Sequence, residues 1–253
     1  MNLLSIDFDF FFPIPKGGDA LQLYDWGHSE QMPFLAGPVW MFRAAGFLNH
    51  GDDLPICKGW ERFWDRFTFP ENATLYFADS HVQALYPAIR DHVFGMVRNY
   101  DAHHDLGYSQ KAVDDLLEHG RADCANWGLF YSEYADLPYQ VVLPPWMTAR
   151  DVEAVPKRHN VSAQLDDGER VATPFESVIL VRSGSWTPSW CDGMIQAFLD
   201  ACPIKRRVDI HQKLLGKPLE PRWFSLEEAQ KAAEGMRAGM ERDRQRAEMG
   251  ATG

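Results

Sequence analysis

The chain has 253 residues, 45% hydrophobic and 13% aromatic, which is long and apolar enough for a sizeable core and excludes a disordered chain. A formal charge of -11 disfavours general binding to phosphate backbones and favours a metal or a cationic substrate. No apolar run approaches the roughly 18 residues of a membrane span, and the start, MNLLSIDFDFFF, lacks the basic region of a signal peptide. Cys57, Cys124, Cys191 and Cys202 lie far apart with no CxxC pair, the usage expected of reduced thiols in a cytoplasmic protein.

Residues 2 to 12 read as a buried strand, apolar but for Ser5, Asp7 and Asp9. Residues 13 to 57 are rich in Pro and Gly, a long inserted loop with a short helix expected around VWMFRAAGFL. KGWERFWDRF carries Trp60, Phe63, Trp64 and Phe67 at helical spacing, which predicts a helix with an aromatic core face. ATLYFAD predicts a strand, SHVQALYPAIR a helix starting at Ser80 or His81, and HVFGMVRNYD a second strand. SQKAVDDLLEHG is an amphipathic helix with Ser109 as N-cap and Gly120 at its end. CANWGLFYSEYA reads as helix, YQVVLPP as strand, and TARDVEAV as a short helix. VSAQLDDGERVA predicts a hairpin turning at the D-G pair. ESVILVRS is a strand, TPSWCDGMIQAFLDAC a helix with Pro188 early in it, and residues 225–249 a highly charged helix. Strands alternating with helices predict a single α/β domain over 1–253, three-layer α/β/α with a mostly parallel sheet and its site at the strands' carboxyl ends.

Three clusters carry chemistry. Asp7 and Asp9, two apart, are expected on one side of a strand. Asp101, His103 and Asp105 repeat that spacing after an apolar run, and His81 sits where a third strand passes into a helix. Taken singly, D-x-D also fits a capped strand or a phosphatase motif, and His81 a structural helix residue. Together they are too many donors for one tetrahedral zinc, and they suit a pair of hard divalent ions. Uncompensated charges at such buried ends would destabilise the fold by roughly several kcal/mol each.

YDAHHDLGY resembles the D-A-H-x-D motif of the arginase, agmatinase and histone-deacetylase superfamily, and SIDFDFFF resembles its S-[FI]-D-x-D strand. DSHVQALYPAI, NYDAHHDL, CANWGLF and VVLPPW are similar to segments of a poorly characterised arginase-like branch. The likeness covers residues 1 to 12 and 75 to 147. Arginases place D-x-D after D-A-H-x-D, so its position at the start here implies an arginase-like sheet with permuted or rewired topology. The resemblance implies one metal on His81, Asp101, Asp105 and Asp7, and a second on Asp101, His103, Asp7 and Asp9, with Asp101 and Asp7 bridging. It implies two divalent ions, Mn2+ foremost and Zn2+ or Fe2+ as alternatives. A metal-bridging hydroxide would attack the trigonal carbon of a guanidine or amide, oriented by a carboxylate such as Asp105. Two arginase features have no clear counterpart here: the proton-shuttle histidine and the acidic residue for the guanidinium.

His104, beside the ligands, is a catalytic candidate or a core histidine facing the other way. Asn126 and Trp127 fall where the family's substrate loop would lie, and Arg182 could bind a substrate carboxylate or pair with a surface acid. His119 reads as a helix-end residue. No Walker loop or G-x-G-x-x-G is present. The expected partner is a small-molecule or modified-residue substrate, with no nucleic acid or membrane and a homo-oligomer left open. The rivals are a metal-dependent phosphoesterase, which would need a Thr or Val after D-x-D where Phe10 to Phe12 stand, and a non-catalytic arginase-like binding module.

Overall fold

The computed structural model describes residues 1–13, 36–49, 51–90, 93–219, 222 and 225–250. The chain divides into two compact units. One holds Met1–Pro13, Cys57–Ser183 and Met194–Glu220, and the other Ile14–Ile56, Gly184–Gly193 and Pro221–Gly253. The helices among the described residues are α1 (Ala36–Asn49), α2 (Tyr86–Ile89), α3 (Gln110–Leu117), α4 (Ala149–Ala154), α5 (Asp192–Ala201), α6 (Ile210–Leu215) and α7 (Leu226–Gly250).

The first unit is α/β, with a single parallel sheet between helices in an α/β/α arrangement. Its strands are β1 (Asn2–Asp7), β2 (Thr74–Ala78), β3 (Met96–Tyr100), β4 (Tyr139–Leu143), β5 (Val161–Leu165), β6 (Ser177–Val181) and β7 (Arg206–Asp209). They lie in the order β5-β4-β3-β1-β6-β2-β7, every pair parallel. Parallel strands covered on both faces need continuous apolar runs. SVILV in β6 is buried throughout, and β1 is buried from Leu3 to Asp7. The outer strands β5 and β7 expose residues instead.

Alternation along the central strands builds two cores. Leu3, Val97, Val141 and Ile179 join Trp127 and Tyr131 in one apolar cluster. In a second cluster, of aromatic rings, Phe63 meets Tyr100 edge-on at 5.0 Å between centroids, and Trp64 stacks on Phe198 at 4.5 Å. Ser5 and Asp7 stand on the same pleat face as Leu3, so the first core leads up the sheet to the acidic rim.

Several local expectations are corrected. The D-G pair at Asp167–Gly168 builds no hairpin: β5 joins β4 in parallel, and the chain runs on to Val171, whose amide donates to Arg66 O at 2.9 Å. Pairing with a buried parallel neighbour outweighs a local turn signal. The aromatic stretch 60–67 forms only a short 3-10 turn, Phe63–Arg66. β1 ends at Asp7, and Phe8–Phe11 curl into another 3-10 turn. β7 and α6 carry no clear periodic signal in the sequence, and β7 is an exposed edge strand.

In the second unit, α1 packs against α7. The Arg222 guanidinium donates to Asp192 at 2.6 Å and to the carbonyls of Gly184 and Thr187 at 2.6 and 2.8 Å. Trp40 meets Trp190 edge-on at 5.7 Å. The helix expected around VWMFRAAGFL is α1, while residues 14–35 lie outside the described residues. No helix among the described residues is long and apolar enough to cross a membrane.

Candidate metal centre

The acidic residues meet at the carboxyl ends of β1 and β3, where the chain direction across the sheet reverses: β1 leads on towards β2, and β3 leads away towards β4 and β5. Such a reversal opens a crevice at the strand ends. The pleat alone does not gather the ligands. Asp7 closes β1, and its Oδ1 accepts the Asp9 amide at 3.1 Å, which tightens the following turn and swings Asp9 into place. Asp9 Oδ1 accepts the Ala102 amide at 3.3 Å, tying that turn to the one after β3. Asp101 Oδ1 accepts the His103 amide at 2.7 Å. Asp105 adopts φ 53, a left-handed conformation that aspartate tolerates, and its carbonyl accepts the Gly128 amide at 3.0 Å. His81 opens the 3-10 turn after β2, under a Ser80–Gln83 capping box.

His81 Nδ1 lies 3.1 Å from Asp7 Oδ2, 3.0 Å from Asp101 Oδ2 and 2.9 Å from Asp105 Oδ2. His103 Nδ1 lies 2.9 Å from Asp9 Oδ2 and 3.4 Å from Asp101 Oδ1. Asp7, Asp9, His81, Asp101 and Asp105 are all buried. Burial, then Asp9 and Asp101, push the Asp7 carboxyl up to about 7. Burial and Asp101 likewise raise Asp9 and Asp105. Burial would raise Asp101 as well, but His81 and His103 outweigh it and hold its carboxyl below the usual range. Burial alone would lower both imidazoles, and the surrounding carboxylates instead raise them well above 6.5. Among the described residues, these two rings are the only positively charged groups that pair with the carboxylates.

The donor set fits a cation better than it fits those rings. Although three oxygens surround His81 Nδ1, none meets it with hydrogen-bond geometry. An octahedral cation with bonds of about 2.1 Å holds neighbouring donors about 3 Å apart, and 2.9–3.1 Å is the spacing found around His81. Two groups could each hold a metal ion, Asp7 with His81 and Asp101, and Asp9 with Asp101 and His103. Asp101 belongs to both. Asp7 belongs to the first, its other oxygen being taken by the Asp9 amide.

Two neighbours that sequence reasoning passed over fix these ligands. Ser5 Oγ lies 2.7 Å from His81 Nε2, which turns Nδ1 towards the carboxylates. Asn99 donates to Asp101 Oδ2 at 3.1 Å. Each stands two residues before an aspartate, on the same pleat face, and that spacing was the available signal.

No family model, curated protein or solved structure matches the chain.

The other candidates are placed as follows. Trp127 donates its indole N–H to Asp105 Oδ2 at 2.6 Å and packs on His81 with centroids 4.4 Å apart. Asn126 is turned away from the cluster: its amide donates to Ala112 O and Arg121 O, and its oxygen accepts the Asp123 amide. Arg182 donates to Asp79 Oδ1 at 2.6 Å, bracing the loop that delivers His81. His104 stacks on Tyr108 and accepts the Leu106 amide at Nδ1, 3.0 Å away. Burial, and then His103, push His104 down to about 4, so its ring is neutral.

Proposed function

We propose that the chain is a metal-dependent hydrolase that cleaves the C–N bond of a guanidine or amide, in a small molecule or a modified side chain. In this reading it is a relative of the arginase, agmatinase and deacetylase superfamily with two divalent ions, Mn2+ foremost. One observation carries the proposal: the two oxygens of Asp101 face two different histidine-bearing groups, Oδ2 at 3.0 Å from His81 and Oδ1 at 3.4 Å from His103. A carboxylate shared in this way suits a paired centre. The charges agree, since Asp7, Asp9, Asp101 and Asp105 as carboxylates balance two divalent cations when both imidazoles are neutral.

Asp7, His81, Asp101 and Asp105 would hold one ion, and Asp9, Asp101 and His103 the other. When bound, such ions act as Lewis acids and lower the pKa of coordinated water towards neutrality. The remaining work falls to side chains. Asp105, steadied by the Trp127 indole, orients the attacking water. His104 accepts the Leu106 amide at Nδ1, so its neutral ring carries the proton on Nε2 and offers that N–H as a hydrogen-bond donor to a substrate oxygen. The burial of the cluster excludes bulk water and strengthens each charge interaction within it.

The test measures bound metal and assays guanidines, acetylated amines and phosphoesters, with native protein and with Asp101→Ala. Two ions per chain and C–N cleavage are expected, both lost in the variant. Full metal and turnover in Asp101→Ala would refute the assignment. Turnover of phosphoesters alone would move the chain to the phosphoesterase class, and absence of metal would leave a binding module.

A further inference from the structure

A cleft of about 490 Å³ opens in the first unit, with Phe10, Phe11 and Trp146 among its walls. Its charged lining runs against the acidic character of the chain. Lys58, Arg62, Arg66 and Arg170 face Asp65 and Asp166. Two of these cations are committed. Arg66 forms a two-pronged pair with Asp166 at 2.8 and 2.5 Å, and Arg62 pairs with Asp65 at 3.3 Å. Lys58 and Arg170 have no ion pair among the described residues, so the cleft keeps an excess of positive charge on a molecule whose net charge is -11. Such a local reversal draws small anions, while the overall charge repels polyanions.

The cleft shares the active rim of the sheet. Phe10 follows β1, Trp146 follows β4 and Asp166 follows β5, all at the carboxyl ends where the acidic cluster lies. Trp146 Nε1 donates to Phe10 O at 3.3 Å, one residue beyond Asp9. β4 and β1 are two strand spacings apart in the sheet order, a separation of about 10 Å. The cleft is held in place from below: the Lys58 amide donates to Phe11 O at 2.7 Å, and the Val171 amide, next to Arg170, to Arg66 O at 2.9 Å.

We infer that this cleft is an anion subsite. It takes a carboxylate or phosphate borne on an apolar or aromatic group, with Lys58 and Arg170 as its cationic contacts and Trp146 as its flat wall. Combined with the hydrolase reading, on which this part rests, the substrate is an extended molecule whose anionic end lies in this cleft, on the same rim of the sheet as the bond that is cleaved.

Phenyl phosphate and phenylacetate serve as probes, with benzyl alcohol and benzyltrimethylammonium as neutral and cationic controls, in calorimetric titrations of the full chain. The native protein should bind both anions saturably and the controls at least tenfold more weakly. Lys58→Glu with Arg170→Glu should weaken both anions at least tenfold while bound metal and the unfolding temperature stay as in the native protein. Should that variant fold poorly, Lys58→Gln with Arg170→Gln takes its place. Equal anion binding in the variant would overturn the subsite, since it would put the probes at the metal cluster or elsewhere. Absence of saturable binding to native protein, or equal binding of the cationic control, would overturn it too. The two readings fail separately: the metal and turnover assays judge the hydrolase, and the probe titrations judge the cleft.

Discussion

Ser5 and His81, 76 residues apart in the chain, meet at 2.7 Å beneath the acidic cluster. When Nε2–H is given to the hydroxyl and the ring is neutral, a bare Nδ1 faces Asp7, Asp101 and Asp105, the form a metal ion requires. Ser5→Ala removes that partner from a fully buried site. Partners of this kind contribute about 10–100-fold to metal affinity. Competition titration with a chromogenic chelator should show a loss in that range, and an unchanged affinity would mean the hydroxyl does not orient the ring.

The two metal groups share Asp101 and differ in the rest. Asp9→Asn should therefore halve the metal bound, leaving the ion on Asp7, His81 and Asp101. His81→Ala should remove the other ion and leave the one on His103. Elemental analysis after gel filtration reads both. Loss of all metal from Asp9→Asn would show a single site in place of two.

Metal removal should invert the pH dependence of stability. In the stripped protein the Asp7 carboxyl, pushed up to about 7 from 3.8, holds a proton when folded that it lacks when unfolded. Stability then falls as pH rises through that window. His81 and His103, raised above 6.5, extend the same trend upwards. Asp101, held low, works in the opposite sense, but its contribution is already complete above its unfolded value of 3.8. Stripped protein should thus unfold at a lower temperature at pH 8 than at pH 5. Added Mn2+ should raise the unfolding temperature more at pH 8, because its ligands must first lose their protons. A flat or rising profile in the stripped protein would contradict these protonation states.

Gly128 touches the Asp105 carbonyl and the Tyr139 hydroxyl. A Cβ there would come within 2.8 Å of both atoms. Gly128→Ala should destabilise the protein by about 1–3 kcal/mol, the usual cost of overpacking, and should weaken metal binding by displacing Asp105. Chemical denaturation of the native and variant proteins with Mn2+ present reads the first effect. A loss below about 0.5 kcal/mol would mean that the loop yields at little cost.

The repeating apolar segments made the layered fold legible, because a buried parallel strand has to be continuously apolar and a helix between strands has to cover it. The candidate metal-holding residues were legible for a related reason: carboxylates next to apolar runs demand a counter-charge. How they converge was not. Period-two spacing suggested pleats, whereas Asp9 and His103 are carried by turns that Asp7 and Asp101 cap with their own oxygens. The DDG hairpin signal and the helical spacing of Trp60 to Phe67 are local preferences that sheet pairing and the aromatic core override. Asn126 shows the limit of motif position: its neighbour Trp127 reaches the cluster, while its own amide closes the loop behind it.

Ser5 in β1 is flanked by Asn99 of β3 and by Ile179 of β6. The earliest strand of the sheet can complete its hydrogen bonding only after some 175 later residues exist, and contacts this distant in sequence form slowly. On the ribosome, SIDFDFFF must therefore wait as an exposed apolar segment open to misassociation. Asp7 and Asp9 gain their final setting only when β6 has docked. If the cluster holds metal, its loading follows the docking of β6, and co-expression with a nascent-chain chaperone should improve the yield of metallated protein more than added Mn2+ alone.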